Sequence, residues 1–341
     1  VPMNRLLQGD VGSGKTVVAA LAARQAAQAG LQTAIMAPTE ILASQHAETL
    51  AKLLTPFGVN VALFTGSVKG AARKELLEHL RDGTIDVIVG THALIQKGVD
   101  YHRLGFVAID EQHRFGVKQR QALLDKSKHL PHLLAMTATP IPRSLALTLY
   151  GELEVSILDE LPAGRQPIST KIWAPTNTEK LYALVDGEIA KGRQAYIICS
   201  LIDENPDNDK KSVEAEYKKL QSTVFRHCRV GLLHGRLSAE DKEAVMRQFA
   251  DGELDILVST TVVEVGVDVP NATVMVIENA DQFGLSQLHQ LRGRVGRGQH
   301  KSYCYLVMTG NDKPSQRLRE IESSQDGFYL AEVDLKLRGP G

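Results

Sequence analysis

Short apolar runs alternate with amphipathic stretches along nearly the whole chain, and the series runs twice. Arg5-Leu6-Leu7-Gln8 opens the first series as a strand, followed by an Ala-rich helix over Val17–Ala29. Further strands are expected at Thr33–Ala37, Val59–Phe64, Asp86–Val89, Phe106–Ile109 and Leu133–Met136, with helices over Ile41–Leu54 and Ala71–Arg81 between them. A breaker cluster, Leu161-Pro162-Ala163-Gly164-Arg165-Gln166-Pro167, then interrupts the pattern as a linker. The second series has strands at Ile168–Trp173, Ala195–Cys199, Val230–Leu233, Asp255–Val258, Val274–Ile277 and Tyr303–Val307. A helix is expected at Glu179–Ala190, and another starting at Ser238, with Asp241 three residues on as a capping partner. The polar, turn-rich stretch Asp203–Lys211 reads as a solvated loop.

This alternation predicts an α/β protein layered around parallel sheets. The expected organisation is a first domain at 1–160, a linker at 161–167, a second domain at 168–310 and a helical tail at 311–341. A length of 341 residues suits two domains, and 43% hydrophobic with 23% charged residues excludes a disordered chain. Apolar stretches such as Thr33–Pro38 are too short to span a membrane. Cys199, Cys228 and Cys304 are scattered without metal-ligand spacing and read as reduced packing residues, consistent with a cytoplasmic protein. A net charge of −1 exerts no global pull on nucleic acid, so such a partner must rest on local features.

The chemistry concentrates in a few segments. Gly9-Asp10-Val11-Gly12-Ser13-Gly14-Lys15-Thr16 follows a strand and opens a helix, the context in which a glycine-rich loop cradles phosphates. Lys15 would face the β- and γ-phosphates of ATP and Thr16 would offer its hydroxyl to Mg²⁺. Val107-Ala108-Ile109-Asp110-Glu111-Gln112-His113 places two carboxylates at a strand's end, Asp110 to hold Mg²⁺ and Glu111 to polarise the attacking water. Thr137 and Thr139, in Met136-Thr137-Ala138-Thr139-Pro140, could bond to His113 and relay the nucleotide state. Arg294 and Arg297 would share a face on a helix, though Gly293, Gly296 and Gly298 oppose a long one. A planar, permanently charged guanidinium suits a transferring phosphoryl group, and such a finger supplies about 10³–10⁵ in rate. In Ser259 to Asp268, hydroxyls could meet a nucleic-acid phosphate while Gly266 and Asp268 approach the nucleotide.

Together these segments resemble the helicase core of superfamily 2. The likeness extends through Ala37-Pro38-Thr39-Glu40-Ile41-Leu42-Ala43, Gly90-Thr91-His92-Ala93-Leu94-Ile95-Gln96, Asp159-Glu160-Leu161-Pro162-Ala163-Gly164-Arg165 and the run Gln287–Gly298, and covers essentially the whole chain. It implies two tandem RecA-like domains with a C-terminal helical hairpin, and ATP bound in the cleft between them. By the resemblance Gln290, Arg294 and Arg297 form the sixth motif, with the arginines as fingers. Pro38, Thr39, Gly90, Thr91 and His92 would track one DNA strand, as would Thr260 and Thr261, and such contacts read backbone rather than base. Arg317 falls in the hairpin and would couple it to the motor.

The implied activity is ATP-dependent translocation on double-stranded or branched DNA, remodelling stalled forks and Holliday junctions. It would belong to a monomer at the bacterial nucleoid, with replication or repair proteins as partners. A transcription–repair coupling motor is the alternative, disfavoured by Gln112 and by the Leu161–Pro167 text. The chain opens at Val1 and closes on Arg338-Gly339-Pro340-Gly341, which reads as a core cut from a larger protein. A DNA-gripping upstream domain, an adenine-recognising glutamine motif and the loop after the hairpin are not in this sequence. The core is therefore expected to keep its catalytic residues and to handle forks poorly.

Overall fold

The computed structural model of the chain divides into two compact units, Val1–Leu161 and Pro162–Gly341. The structure describes all residues except 11, 140–152, 160–166, 200–205, 262–268, 311–312 and 339–341, and the side chains of 206–212, 239 and 338 are not described either. Val11, Pro140, the linker text at 161–166, Gly266 and Asp268 therefore lie outside the described residues.

The first unit runs β1 (Asn4–Gly9), α1 (Lys15–Gln28), β2 (Gln32–Met36), α2 (Glu40–Leu54), β3 (Val61–Phe64), α3 (Gly70–Asp82), β4 (Val87–Gly90), β5 (Leu104–Ile109), α4 (Val117–Leu124), β6 (His132–Thr137) and β7 (Glu154–Leu158). The strands pair in parallel in the order β3-β4-β2-β5-β6-β1-β7. The period-two rule sorts β2 onto two cores. Ile35 packs with Ala19, Ala20 and Ala23 of α1 and Leu42 and Leu50 of α2. Ala34 and Met36 face the other way, against Leu80 of α3 and Leu123 of α4. Helices on both faces explain why the strands read as continuous apolar runs.

The second unit runs β8 (Ser169–Trp173), α5 (Thr178–Ile189), β9 (Gln194–Ile198), α6 (Pro206–Lys219), β10 (Val230–Leu233), α7 (Ala239–Ala250), β11 (Ile256–Ser259), β12 (Ala272–Ile277), α8 (Leu285–Arg292), β13 (Tyr303–Val307), α9 (Gln316–Ser323) and α10 (Gly327–Arg338). Its parallel sheet has the order β10-β11-β9-β12-β13-β8. That is the order of the first sheet with β3, β4, β2, β5, β6 and β1 replaced by their counterparts.

The duplication reaches single hydrogen bonds. Buried Gln32 at the start of β2 donates through Nε2 to the carbonyls of Leu80 and Ile85 at 2.9 and 2.7 Å. Gln194 at the start of β9 does the same to Phe249 and Leu254 at 2.6 and 2.7 Å. Beyond the strand ends, Ala37 N donates to Gly90 O and Cys199 N to Ser259 O, both at 2.8 Å. Asp110 N donates to Met36 O at 2.9 Å and Glu278 N to Ile198 O at 2.8 Å.

The expected helix start at Ser238 is present, with Asp241 N donating to Ser238 Oγ at 3.0 Å. Three features depart from the sequence expectations. The loop expected over Asp203–Lys211 gives way to helix from Pro206, where a fixed φ and the acidic residues Asp207 and Asp209 suit a helix N-terminus. The short edge strand β7 and the eight-residue α4 were not anticipated; α4 buries little besides Leu123, so it shows no apolar stripe. The C-terminal helices are joined to the rest of the unit by polar clamps. Buried Arg292 donates through Nη1 to Ile321 O at 2.6 Å and Ser324 O at 2.8 Å, and Arg317 donates to Phe283 O at 3.2 Å. Among the described residues no helix is long and apolar enough to cross a membrane.

Candidate nucleotide and nucleic-acid sites

Because every strand of the first sheet points the same way, the segments after β1, β2, β4, β5 and β6 gather at one edge. This carboxyl edge is where open α/β sheets bind ligands. The sheet order sorts them: β1, β6 and β5 adjoin one another, while β2 and β4 lie to the other side of β5.

The turn after β1 is shaped for an anion. Gly12 and Gly14 have φ of 81° and 95°, a region open mainly to glycine. A Cβ on Gly9 would lie 2.5 Å from Ser13 Oγ and 2.9 Å from Leu158 Cβ, so the loop closes only on a glycine there. Helix α1 starts behind Gly14 with no side-chain cap, leaving its first amides to another acceptor. Lys15 Nζ folds back over the loop and donates to Gly9 O and Asp10 O, both at 2.8 Å. Ser13 Oγ is buried without a hydrogen-bond partner among the described residues. Uncapped amides, a buried unpaired hydroxyl and an ammonium folded over the loop fit a polyphosphate. Thr16, at the start of α1, is half-buried beside them.

Asp110 is buried at the tip of β5 and bound on both oxygens. His46 Nε2 lies 2.7 Å from Oδ2, and Glu111 N donates to Oδ1 at 3.0 Å. Burial, the largest single influence, raises its pKa. The His46 hydrogen bond and charge, the Lys15 ammonium and the Glu111 amide together outweigh it and hold the carboxyl below its ordinary value. Asp110 is thus ionised and suited to a divalent cation.

Glu111 sits in the left-handed region, φ 47° and ψ 52°, a strained conformation for a non-glycine residue. Its Oε2 lies 3.5 Å from His113 Nδ1. Burial, and then the Arg114 charge, lower the His113 pKa against the pull of Asp110, which keeps the ring neutral near pH 7. Gln112 accepts from Arg120 at 3.3 Å, tying the corner to α4. Thr137 Oγ1 accepts from Thr139 N at 3.1 Å and Gln8 Nε2 donates to Thr139 O at 3.2 Å, so the segment after β6 is anchored to β1.

On the other side of the edge, Thr39 caps α2 by accepting from Leu42 N at 3.3 Å. Gly90 is required by packing, since a Cβ there would lie 2.1 Å from Phe64 O. Thr91 is buried, its hydroxyl without a hydrogen-bond partner among the described residues, and His92 is exposed. Pro38 is half-buried. In the second unit Thr260 and Thr261 follow β11, the counterpart of β4, so the two hydroxyl-bearing segments occupy equivalent places in the duplicated fold. Thr260 is buried, its N–H donating to Leu233 O at 3.2 Å.

The arginine run is not a continuous helix, in keeping with its flanking glycines. Helix α8 carries Gln290, ends at Arg292 and is capped by Gly293, and Arg294 and Arg297 lie on the turn beyond. Beyond the helix end Gly296 has φ 78°, and a Cβ on Gly298 would lie 2.5 Å from Pro270 O. Arg294 is buried, and Arg297 Nε donates to Gly293 O at 3.1 Å.

Sequence reasoning missed two contributors: His46, and Arg292 as the clamp on the C-terminal helices. It also missed a repeated corner. Phe115-Gly116-Val117-Lys118-Gln119 and Phe283-Gly284-Leu285-Ser286-Gln287 follow equivalent strands, and each glutamine accepts from its glycine N–H, at 3.1 and 3.4 Å. Glu278 and Asn279 stand where Asp110 and Glu111 stand, and Asn279 has the same left-handed backbone, φ 52° and ψ 47°. Burial raises the Glu278 pKa, the reverse of Asp110, and its neighbour is Tyr182, whose hydroxyl donates at 2.9 Å.

The fold agrees with the comparisons. A DEAD/DEAH box helicase family model matches residues 2–148, and one for the helicase conserved C-terminal domain matches residues 176–299. The chain belongs to this class, the helicases whose core is a pair of RecA-like domains. The yeast Dbp5 structure bound to RNA, at 19% identity and a TM-score of 0.65, shares the fold. Within the class the relatives this chain matches along its whole length are RecG proteins. It is 57% identical over 341 residues to ATP-dependent DNA helicase RecG of Synechocystis, covering 100% of this chain and 41% of the relative. To the Bacillus subtilis protein of that name it is 55% identical, covering 99% and 50%. A structure of RecG bound to a three-way DNA junction matches with a TM-score of 0.87 at 50% identity, covering 100% of this chain and 44% of that one. The chain thus spans about half the length of the curated relatives it matches, and these relatives do not favour the transcription–repair motor.

Proposed function

We propose that this chain is the motor core of an ATP-driven translocase on double-stranded and branched DNA, acting on stalled forks and Holliday junctions. The observation that carries this reading is the sorting of one sheet edge. Phosphate-shaped and carboxylate groups follow β1 and β5, hydroxyl-bearing segments follow β2 and β4, and a hydroxyl pair recurs after β11. The relatives named RecG, one of them seen on a three-way junction, support the choice of substrate.

In this reading the amides of Gly12 to Thr16 and Lys15 Nζ bind the phosphates, Lys15 exchanging loop carbonyls for phosphate oxygens. Gly9, Asp10 and Val11 shape the loop. Thr16 and Asp110 would hold Mg²⁺, which would supply neutralisation of the charge that develops on the phosphates. Glu111 orients the attacking water, with His113 beside it. Gln290, Arg294 and Arg297 serve the same nucleotide from the second unit, with Gly266 and Asp268 near it. Pro38, Thr39, Gly90, Thr91, His92, Thr260 and Thr261 hold the DNA backbone. Thr137, Thr139 and Arg317 pass the nucleotide state onward. The protein would work as a monomer in the bacterial cytoplasm, at the nucleoid, with replication or repair proteins as partners.

The test is Arg297→Ala. Binding of a fluorescent ATP analogue should persist while turnover falls by about 10³-fold or more. Wild-type turnover in that variant would show that the two units do not share a nucleotide.

A further inference from the structure

Asp110 takes its strongest side-chain contact from a residue to which the reading above gives no role. His46 lies on α2, with its side chain 11% exposed against 11% for Asp110. The strand that leads into α2 also meets Asp110, through the ladder bond from the Asp110 N–H to Met36 O at the end of β2. It also carries Thr39, the cap of α2, and is bonded to the Gly90 carbonyl through Ala37 N. The segment from Met36 to His46 thus touches both hydroxyl-bearing segments of the sheet edge and ends, two turns along α2, on the carboxylate proposed to hold the metal.

A buried histidine–aspartate pair is often plain structural support. The duplicated unit argues otherwise. There the equivalent carboxylate, Glu278, takes its hydrogen bond from Tyr182 on α5, the helix after the counterpart of β1. The fold can satisfy a carboxylate at this corner without a donor from the helix after the β2 counterpart. In the first unit the donor comes from the helix whose N-terminus faces the proposed DNA, while Lys15 occupies the side of the phosphate loop.

We propose that His46 is the positioning residue of Asp110. Its Nε2 holds Oδ2 and so sets the orientation of the carboxylate that would hold Mg²⁺, and through it a displacement of α2 at the DNA-facing end would reach the metal site. The inference rests on the ATP-site assignment. Hydrogen-bond partners of metal-holding carboxylates typically govern about 10–100-fold in metal affinity or activity.

The 341-residue chain is compared as wild type, His46→Leu, His46→Gln and His46→Asn. Leucine removes the donor, glutamine keeps an N–H at similar reach, and asparagine is polar but too short. Binding of a fluorescent ATP analogue is measured in EDTA and across a Mg²⁺ titration, with thermal unfolding alongside. The leucine and asparagine variants should need about 10–100-fold more Mg²⁺ for the half-maximal gain in nucleotide affinity, with binding in EDTA unchanged. The glutamine variant should return most of the way to wild type. In a second arm, turnover of the leucine variant should lose most of its stimulation by linear duplex. An unchanged Mg²⁺ requirement in folded asparagine or leucine variants would overturn the proposal, as would a glutamine variant no better than asparagine. A wild type that binds no nucleotide would overturn the ATP-site assignment and this inference together. A wild type that binds nucleotide but ignores DNA would sink the translocase reading alone, with the Mg²⁺ arm still deciding His46.

Discussion

The left-handed backbone at Glu111 sets stability against chemistry at one residue. For an L-amino acid that conformation costs about 1–2 kcal/mol, and glycine escapes it while losing about 0.5–1 kcal/mol through its freer unfolded chain. Glu111→Ala keeps the strain and Glu111→Gly releases it, and both delete the same carboxylate and its approach to His113. The difference between the two isolates the backbone. Glycine should be the more stable by about 0.5–1 kcal/mol, or about 1–4 °C in the melting of a unit of this size. Asn279 is an internal control with the same dihedrals but a residue type that tolerates them, so Asn279→Gly should change stability by less than about 0.5 kcal/mol. Turnover tells the other half: both Glu111 variants should bind ATP yet lose about 10²–10⁴ in rate, because no group then orients the water. The assays are calorimetry and steady-state hydrolysis on the same samples. An alanine variant as stable as the glycine variant would refute the strain argument, and turnover within tenfold of wild type in either would refute the role of Glu111.

Three further outcomes follow from the geometry. Burial first, then the Asp186 and Asp255 carboxylates, push the Cys228 thiol up to about 11. At pH 8 its thiolate fraction is about one in a thousand, against about one in four for a free thiol, so alkylation of native protein should be slow and rise about tenfold per pH unit up to pH 11. Arg292→Ala strands the Ile321 and Ser324 carbonyls and should cost about 2–5 kcal/mol, with α9 and α10 cut first in limited proteolysis. Gly90→Ala drives a Cβ into Phe64 O and should destabilise the first unit by at least about 2 kcal/mol in thermal unfolding, whether or not DNA is present.

Much of this molecule was legible in the chain because its chemistry is written in local text. The phosphate loop needs glycines and a lysine at fixed spacing, and the strand ending in Asp110 and Glu111 declares itself by apolar residues followed by acid. The strands read cleanly because sheets covered on both faces demand unbroken apolar runs. What stayed hidden depends on distance along the chain. His46 meets Asp110 across 64 residues, and no spacing rule connects them. The repeated series was legible, but the detail of the duplication lies in backbone hydrogen bonds and in Gln32 and Gln194, which look like ordinary polar residues at strand starts. Phe-Gly-x-x-Gln after two strands is a further textual trace of it. The glycines of the arginine run, Gly293, Gly296 and Gly298, oppose a long helix in the sequence, and α8 ends at Arg292 with Gly293 as its cap.

The central claim is that nucleotide hydrolysis by this chain answers to DNA. The most direct measurement is ATP turnover by the wild-type chain with no DNA, linear duplex, single strands and a four-way junction, with Lys15→Ala as the control for the site. The account predicts turnover that rises with double-stranded or branched DNA and vanishes in Lys15→Ala while the protein stays folded. Turnover that is indifferent to every DNA, or that survives the loss of Lys15, would contradict it.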